Sequence, residues 1–246
     1  MSKKKIIKTL IQKGNKLLLS YSGEEFTQNP KANSLLNDLK RYPHAFVLAS
    51  VMDRQIKAER AWLIPYRISE EIDGFGFSKL VSLKQKRIKE IFKRKKLHRF
   101  NEVMAKNFYL AIQKIHRDYN NEASNIWKDK PKSATIVRRF LEFDGAGVKI
   151  ATMAANILAR RFKIPMRDHI CIDISPDVHV KRVFKRLGLT SKNASNDELI
   201  YYARELNPKY PGVFDLPAWQ IGRNWCHSKK PNCQKCSLNK YCLKIL

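Results

Sequence analysis

Apolar residues recur along this chain at the spacing that lines one face of a helix, so the order of elements reads as a succession of helices. From Phe46 to Ile64 the run FVLASVMDRQIKAERAWLI gathers Phe46, Leu48, Ala49, Val51 and Met52 on one broad apolar face, with its charges afterwards. That pattern predicts a buried helix, opened by Tyr42-Pro43 and containing Gln55. Between Leu83 and Ile112 apolar positions again keep helical spacing, under the basic load of KQKRIKEIFKRKKLHRF. This load is either a solvated face or a surface for a partner of opposite charge. Two further periodic runs, ATIVRRFLEF and KIATMAANILARRF, lie between Ser133 and Arg161 and flank the short segment Asp144–Val148. Glycines at 145 and 147 make that segment a turn between two helices. No internal repeat or low-complexity linker interrupts the order, and the expected fold class is all-α.

Composition narrows the partners. The chain has 246 residues and is 43% hydrophobic without a long apolar run, which describes a globular protein of one domain or two small ones with no membrane partner. Its 49 Lys plus Arg against 22 Asp plus Glu give a formal charge of +27. Such an excess is either a solubilising surface or the footprint of a polyanion, and nucleic acid, bound in a salt-dependent way, suits it best. The Met-Ser-Lys-Lys-Lys start shows no apolar signal segment, which implies a reducing compartment: the cytoplasm beside a nucleoid, or a nucleus.

Candidate chemistry enters with the cysteines. Cys226, Cys233, Cys236 and Cys242 follow a Cys-x6-Cys-x2-Cys-x5-Cys spacing. Four soft thiolates from one short loop complete a ligand shell with no open position, so the site is expected to be structural. Zinc and an iron–sulfur cluster both accept this donor set; disulfides suit a reducing compartment poorly. Cys171 stands apart as a free thiol. The Gly145/Gly147 turn is the second candidate: it is either an ordinary helix–helix turn or a place where the amides opening the next helix admit a phosphate.

The cysteine spacing resembles the [4Fe-4S] loop of the endonuclease III family of DNA glycosylases, and Trp219-QI-Gly222-Arg223-NW-Cys226 is similar to the run that precedes it there. Phe143–Ala151 resembles the helix-hairpin-helix motif of the same superfamily, with Asp144 where proline is usual. The resemblance covers most of the chain from Tyr42 to Cys242. It implies a two-lobed helix-hairpin-helix glycosylase fold with a barrel lobe over 43–162, and a second lobe over 1–42 and 163–246 that carries the cluster loop, 219–246. The active-site cleft would lie between the lobes.

The resemblance also implies roles. Lys149 falls where bifunctional members carry the lysine that attacks the sugar C1′ and forms a Schiff base. Asp177, in Asp177-Val-His-Val-Lys-Arg-Val183, falls where the family has its catalytic aspartate, and Asp173 is its neighbour and competitor. Ser175-Pro176 predicts an N-cap and first helical residue there, placing Asp177 near a helix N-terminus that favours its ionised form. Gln55 stands where a glutamine enters the DNA stack beside the flipped-out nucleotide. Gly145, Gly147 and Val148 of the hairpin, Arg182, and Lys229 and Lys230 of the cluster loop are the remaining DNA-binding candidates. Cys226, Cys233, Cys236 and Cys242 would hold a [4Fe-4S] cluster, with structural zinc as the alternative.

The implied activity is excision of a damaged or mismatched base from double-stranded DNA, then β-elimination at the abasic site, by a monomer. Two alternatives stay open: a monofunctional glycosylase using water activated by Asp177, and a non-catalytic DNA-binding iron–sulfur protein. The lesion itself is not legible.

Overall fold

The computed structural model describes residues 2–20 and 25–244. Among the described residues twelve α-helices follow one another: α1 (Ser2–Leu19), α2 (Pro30–Asn37), α3 (Pro43–Met52), α4 (Ala58–Glu71), α5 (Phe77–Ser82), α6 (Gln85–Lys95), α7 (Asn101–Asp118), α8 (Ser133–Leu141), α9 (Val148–Arg160), α10 (Val178–Arg186), α11 (Asn196–Leu206) and α12 (Asp215–Asn224). No strand occurs among the described residues, so the fold is all-α. The chain divides into two compact units. One comprises Gly23–Asp129 with Arg138–Ala154; the other comprises Met1–Ser22, Lys130–Val137 and Ala155–Leu246.

In the unit that holds the hairpin, α3 is buried at all ten positions and packs against α4 and α7. A helix apolar all round belongs inside a core, and Phe46 shows why this one is fixed there. Its ring meets Trp62 at 5.7 Å, Trp127 at 6.2 Å and Phe140 at 6.4 Å, edge-on or tilted, the arrangement aromatic quadrupoles prefer. Buried Ile88, Ile91 and Phe92 give α6 an apolar side and leave its basic load exposed. Arg94 and Lys95 pair with Glu71.

One predicted helix is two. Between Phe46 and Ile64 the helix stops at Met52, residues 53–57 form a bend, and α4 begins at Ala58. No glycine or proline marks the break; Gln55 takes a left-handed φ of 54° instead. The break lets α4 turn back and pack on α3. Gln55 is therefore an exposed loop residue and not part of a helix.

In the other unit Ile6 and Leu10 of α1 share one apolar cluster with Val180, Val183 and Phe184 of α10, Leu199 and Ala203 of α11, and Ala218 and Ile221 of α12. The helix α12 closes on α10 at Gly222, where a Cβ would stand 2.7 Å from that of His179 and 3.0 Å from its carbonyl oxygen. A second correction falls at the start of α10. The N-cap is Asp177, whose carboxylate accepts from the His179 N–H at 2.7 Å; Ser175 lies before the helix and gives its own N–H to buried Asp215.

Candidate functional site

The hairpin turn is built from α8, residues 142–147 and α9. Phe143 anchors it, buried and stacked on Tyr119 with 6.3 Å between ring centroids. Gly145 has a φ of 85°, and a Cβ there would come within 2.3 Å of Asn107 Nδ2. Only glycine fits. Gly147 differs: its φ is not left-handed and a Cβ would meet nothing within 4 Å. Packing inside this unit therefore does not demand glycine at 147. Its carbonyl accepts the N–H groups of Ile150 at 2.9 Å and Ala151 at 3.0 Å and so opens α9, where the amides of Val148 and Lys149 precede the first hydrogen-bonded turn. Val148 is 45% exposed beside them. Together these features make an open helix N-terminus able to meet an anion, with exposed Asp144 adding one negative charge nearby.

Lys149 stands in the first turn of α9. Its Nζ lies 3.5 Å from Oδ2 of Asp53 and 3.5 Å from the same residue's main-chain oxygen. Sequence reasoning passed over Asp53, which sits 96 positions away. The one local signal was a lone carboxylate closing an otherwise uncharged buried helix. Gln55 lies on this loop, and Arg54 lies against the hairpin, its Nη1 3.5 Å from where a Gly145 Cβ would be. His98, 1% exposed, supports the loop from beneath. Its Nδ1 accepts from Phe100 N–H at 3.1 Å, while Nε2 faces the carbonyls of Met52 and Arg54 without a well-formed hydrogen bond. Burial holds the His98 pKa below its ordinary 6.5, those carbonyls opposing the effect only in part.

The other unit carries Asp177, Arg182 and the cysteines. The segment before Asp177 is strapped down. Arg204 grips both carboxylate oxygens of buried Asp173 at 2.8 Å, and Asn156 donates to the Asp173 carbonyl at 3.0 Å. Asp173 is thereby committed to Arg204, and Asp177, half-buried, remains the carboxylate at the head of α10. Asp215 receives the Ser175 N–H at 2.7 Å, and burial pushes its pKa up to about 6, opposed by that hydrogen bond and by Arg160.

Arg182 turns toward the cysteine loop. Its Nε donates to the Cys226 carbonyl at 2.6 Å, and its Nη2 to the Gly222 carbonyl at 2.9 Å and to His179 Nδ1 at 2.8 Å. Its neighbour one turn on does the same: Arg186 donates to the carbonyls of His227 (2.6 Å) and Ser228 (2.8 Å) and to Cys226 Sγ (3.4 Å). Lys229 and Lys230 are exposed on that loop.

All four cysteines of the loop line one cavity, walled by Val183, Leu187, Ile221 and Trp225. Cys171 lies outside it, half-buried. Burial pushes the Cys236 and Cys242 thiols up, so a metal binding there must displace protons. Among the described residues no three His, Cys, Asp or Glu side chains come together closely enough to hold a single metal ion. The donor set nevertheless fits an iron–sulfur cluster: four thiols around one apolar-walled space, with N–H donors of Arg186 and Lys244 directed at two of the sulfurs.

Among the described residues no helix is long and apolar enough to cross a membrane. No protein-family model matches the chain. Among curated proteins it is similar to endonuclease III of Rickettsia prowazekii, 28% identical over 143 residues covering 56% of each chain. It is also similar to endonuclease III of Rickettsia felis, 26% identical over 140 residues covering 56% of this chain and 55% of that one. The chain thus spans little more than half the length of these relatives.

Similarity to solved structures extends further. A trapped covalent endonuclease III–DNA intermediate matches with a TM-score of 0.66 and 18% identity over 99% of this chain and 97% of that one. A non-covalent endonuclease III–DNA complex matches at 0.67 and 17% over 99% and 96%. A thermostable thymine-DNA glycosylase matches at 0.63 and 17% over 98% and 95%. In sequence over about half its length, and in fold over nearly all of it, the chain is endonuclease III-like.

Proposed function

We propose that the protein is a base-excision DNA glycosylase with abasic-site lyase activity, acting through a Schiff base on Lys149. The observation that carries this reading is the placement of Lys149. A half-exposed amine stands in the first turn of the helix that follows a glycine turn open to an anion, held beside a buried carboxylate. A phosphate at the open amides would fix a DNA strand's register while leaving the neighbouring amine free to react. The endonuclease III structure trapped as a covalent intermediate with DNA supports carrying the chemistry over. The charge of +27 supports a polyanionic partner.

The steps balance without a divalent metal. The neutral Lys149 amine attacks C1′ as the C1′–N bond breaks; the base leaves with that electron pair and takes up a proton, while the newly bonded lysine nitrogen gives one up to water. The C1′–O4′ bond then opens, O4′ taking a proton, and leaves the protonated Schiff base; loss of a C2′ proton to water expels the 3′ phosphate, and hydrolysis of the imine frees the lysine. Asp177 is assigned the carboxylate that stabilises positive charge developing on the sugar. Gln55, exposed on its loop, is assigned the contact that fills the place of the extruded nucleotide. Gly145, Gly147, Val148, Lys229 and Lys230 are assigned to the DNA backbone.

Cys226, Cys233, Cys236 and Cys242 would hold a [4Fe-4S] cluster that staples the fold. Four thiols around one apolar-walled cavity, at a spacing that resembles the endonuclease III cluster loop, support such a group, with structural zinc as the alternative.

A panel of duplexes, each with one lesion or mismatch (oxidised pyrimidine, 8-oxoguanine, thymine or uracil opposite guanine), tests the activity on gels run with and without alkali. Strand breaks without alkali on at least one duplex, absent in Lys149→Ala, are expected. Breaks only after alkali would establish the monofunctional alternative. No cleavage of any duplex under either condition, with tight binding, would leave the non-catalytic one.

A further inference from the structure

Asp53 follows the last residue of α3 and is only 4% exposed, yet the loop it begins carries exposed Arg54 and Gln55. A carboxylate withdrawn from water is costly unless a cation meets it. Here that cation is Lys149, through contacts of 3.5 Å to Oδ2 and 3.5 Å to the main-chain oxygen of one residue. The lysine is not buried with it: its side chain is 35% exposed, so the amine that faces Asp53 is also reachable from outside.

The loop itself is docked. Asp53 N–H bonds to Ser50 O at 3.1 Å and Arg54 N–H to Met52 O at 2.8 Å, His98 faces its carbonyls, and Arg54 rests against Gly145 of the hairpin. A lysine stem has four rotatable carbons and many rotamers, whereas a carboxylate on a fixed loop selects one.

We infer that Asp53 is the positioning residue of Lys149: it holds Nζ at one place over the hairpin, so the amine meets C1′ from a set direction. The inference rests on Lys149 being the nucleophile. Misplacing a reacting atom by about 1 Å can cost on the order of 100-fold in rate without weakening binding. The role therefore has a signature that a merely structural ion pair lacks.

The test uses full-length wild type, Asp53→Asn, Asp53→Glu and Lys149→Ala with an abasic-site duplex. Borohydride-trapped adduct is measured in single turnover at saturating DNA, and Kd separately by fluorescence anisotropy without borohydride. Asp53→Asn is expected to slow trapping about 100-fold and Asp53→Glu, which keeps the charge but displaces it by about 1.5 Å, about tenfold, both with Kd within about twofold of wild type. Wild-type trapping rates in both Asp53 variants, with no adduct from Lys149→Ala, would overturn the inference and leave the nucleophile standing. Wild-type adduct from Lys149→Ala would overturn the nucleophile and this inference with it. If Asp53→Asn shows no cooperative melting, Asp53→Glu decides alone: slowed trapping at unchanged Kd supports the role, and a wild-type rate overturns it.

Discussion

The two hairpin glycines, two positions apart, should respond oppositely to the same methyl group. At Gly145 the φ of 85° is left-handed, where an L side chain costs about 1–2 kcal/mol. The added Cβ would also stand 2.3 Å from Nδ2 of Asn107, a short side chain only 7% exposed and so hemmed in. Relieving that overlap adds about 1–3 kcal/mol. Gly145→Ala should therefore lose roughly 2–5 kcal/mol, a fall in Tm on the order of 10 °C for a chain of this size. At Gly147 neither penalty exists, since a Cβ there meets nothing within 4 Å. Gly147→Ala should melt within about 2 °C of wild type. Its methyl group would instead crowd a phosphate approaching the first-turn amides of α9, and abasic-duplex affinity should fall about tenfold, roughly 1.4 kcal/mol. Differential scanning fluorimetry and anisotropy binding read the two effects apart. Wild-type Tm in Gly145→Ala would refute the turn geometry, and wild-type affinity in Gly147→Ala would refute the anion site.

Three other outcomes follow from the unit that carries the cysteines. The Asp215 pKa is raised from 3.8 to about 6, so between those values the folded state binds more protons than the unfolded one and its contribution to stability falls as pH rises. Relative to wild type, Asp215→Asn should gain roughly 2 kcal/mol on going from pH 4 to pH 7 in chemical melts; a pH-independent difference would contradict this. If the cysteine loop holds the proposed iron–sulfur cluster, Arg186→Met, which leaves the His227 and Ser228 carbonyls without their donor, should speed iron loss to a chelator about tenfold, followed by visible absorbance, and an unchanged rate would contradict this. Lys229→Ala with Lys230→Ala should reduce the slope of log K against log salt by about 1.8 if both touch phosphates; an unchanged slope would assign them to solvent.

Local sequence carried the helical stretches from Phe46 to Ile64, Leu83 to Ile112 and Ser133 to Arg161, but not every break within them. Apolar spacing and the Gly145/Gly147 pair placed α8, the turn and α9, because the signals were local: periodic burial, then residues that tolerate unusual backbone. The break after Met52 was hidden, since Gln55 bends the chain with a left-handed φ that nothing in Met52-Asp-Arg-Gln-Ile announces. Ser175-Pro176 looked like a cap and first turn, but Asp177 takes the cap while Ser175 turns to a carboxylate 40 positions on. The cysteine spacing pointed to one shared site, and the loop does bring its four thiols around one cavity. The approach of Asp53 to Lys149 could not be read, because ion pairs across 96 residues depend on packing that no local pattern encodes.

The central claim is that the amine of Lys149 forms the covalent bond to DNA. Borohydride reduction of the wild-type protein on an abasic-site duplex, followed by proteolysis and tandem mass spectrometry, locates the modified residue directly. The account predicts a deoxyribose-derived adduct on Lys149 alone. An adduct on any other amine, or none under conditions where the abasic strand is cleaved, would contradict it.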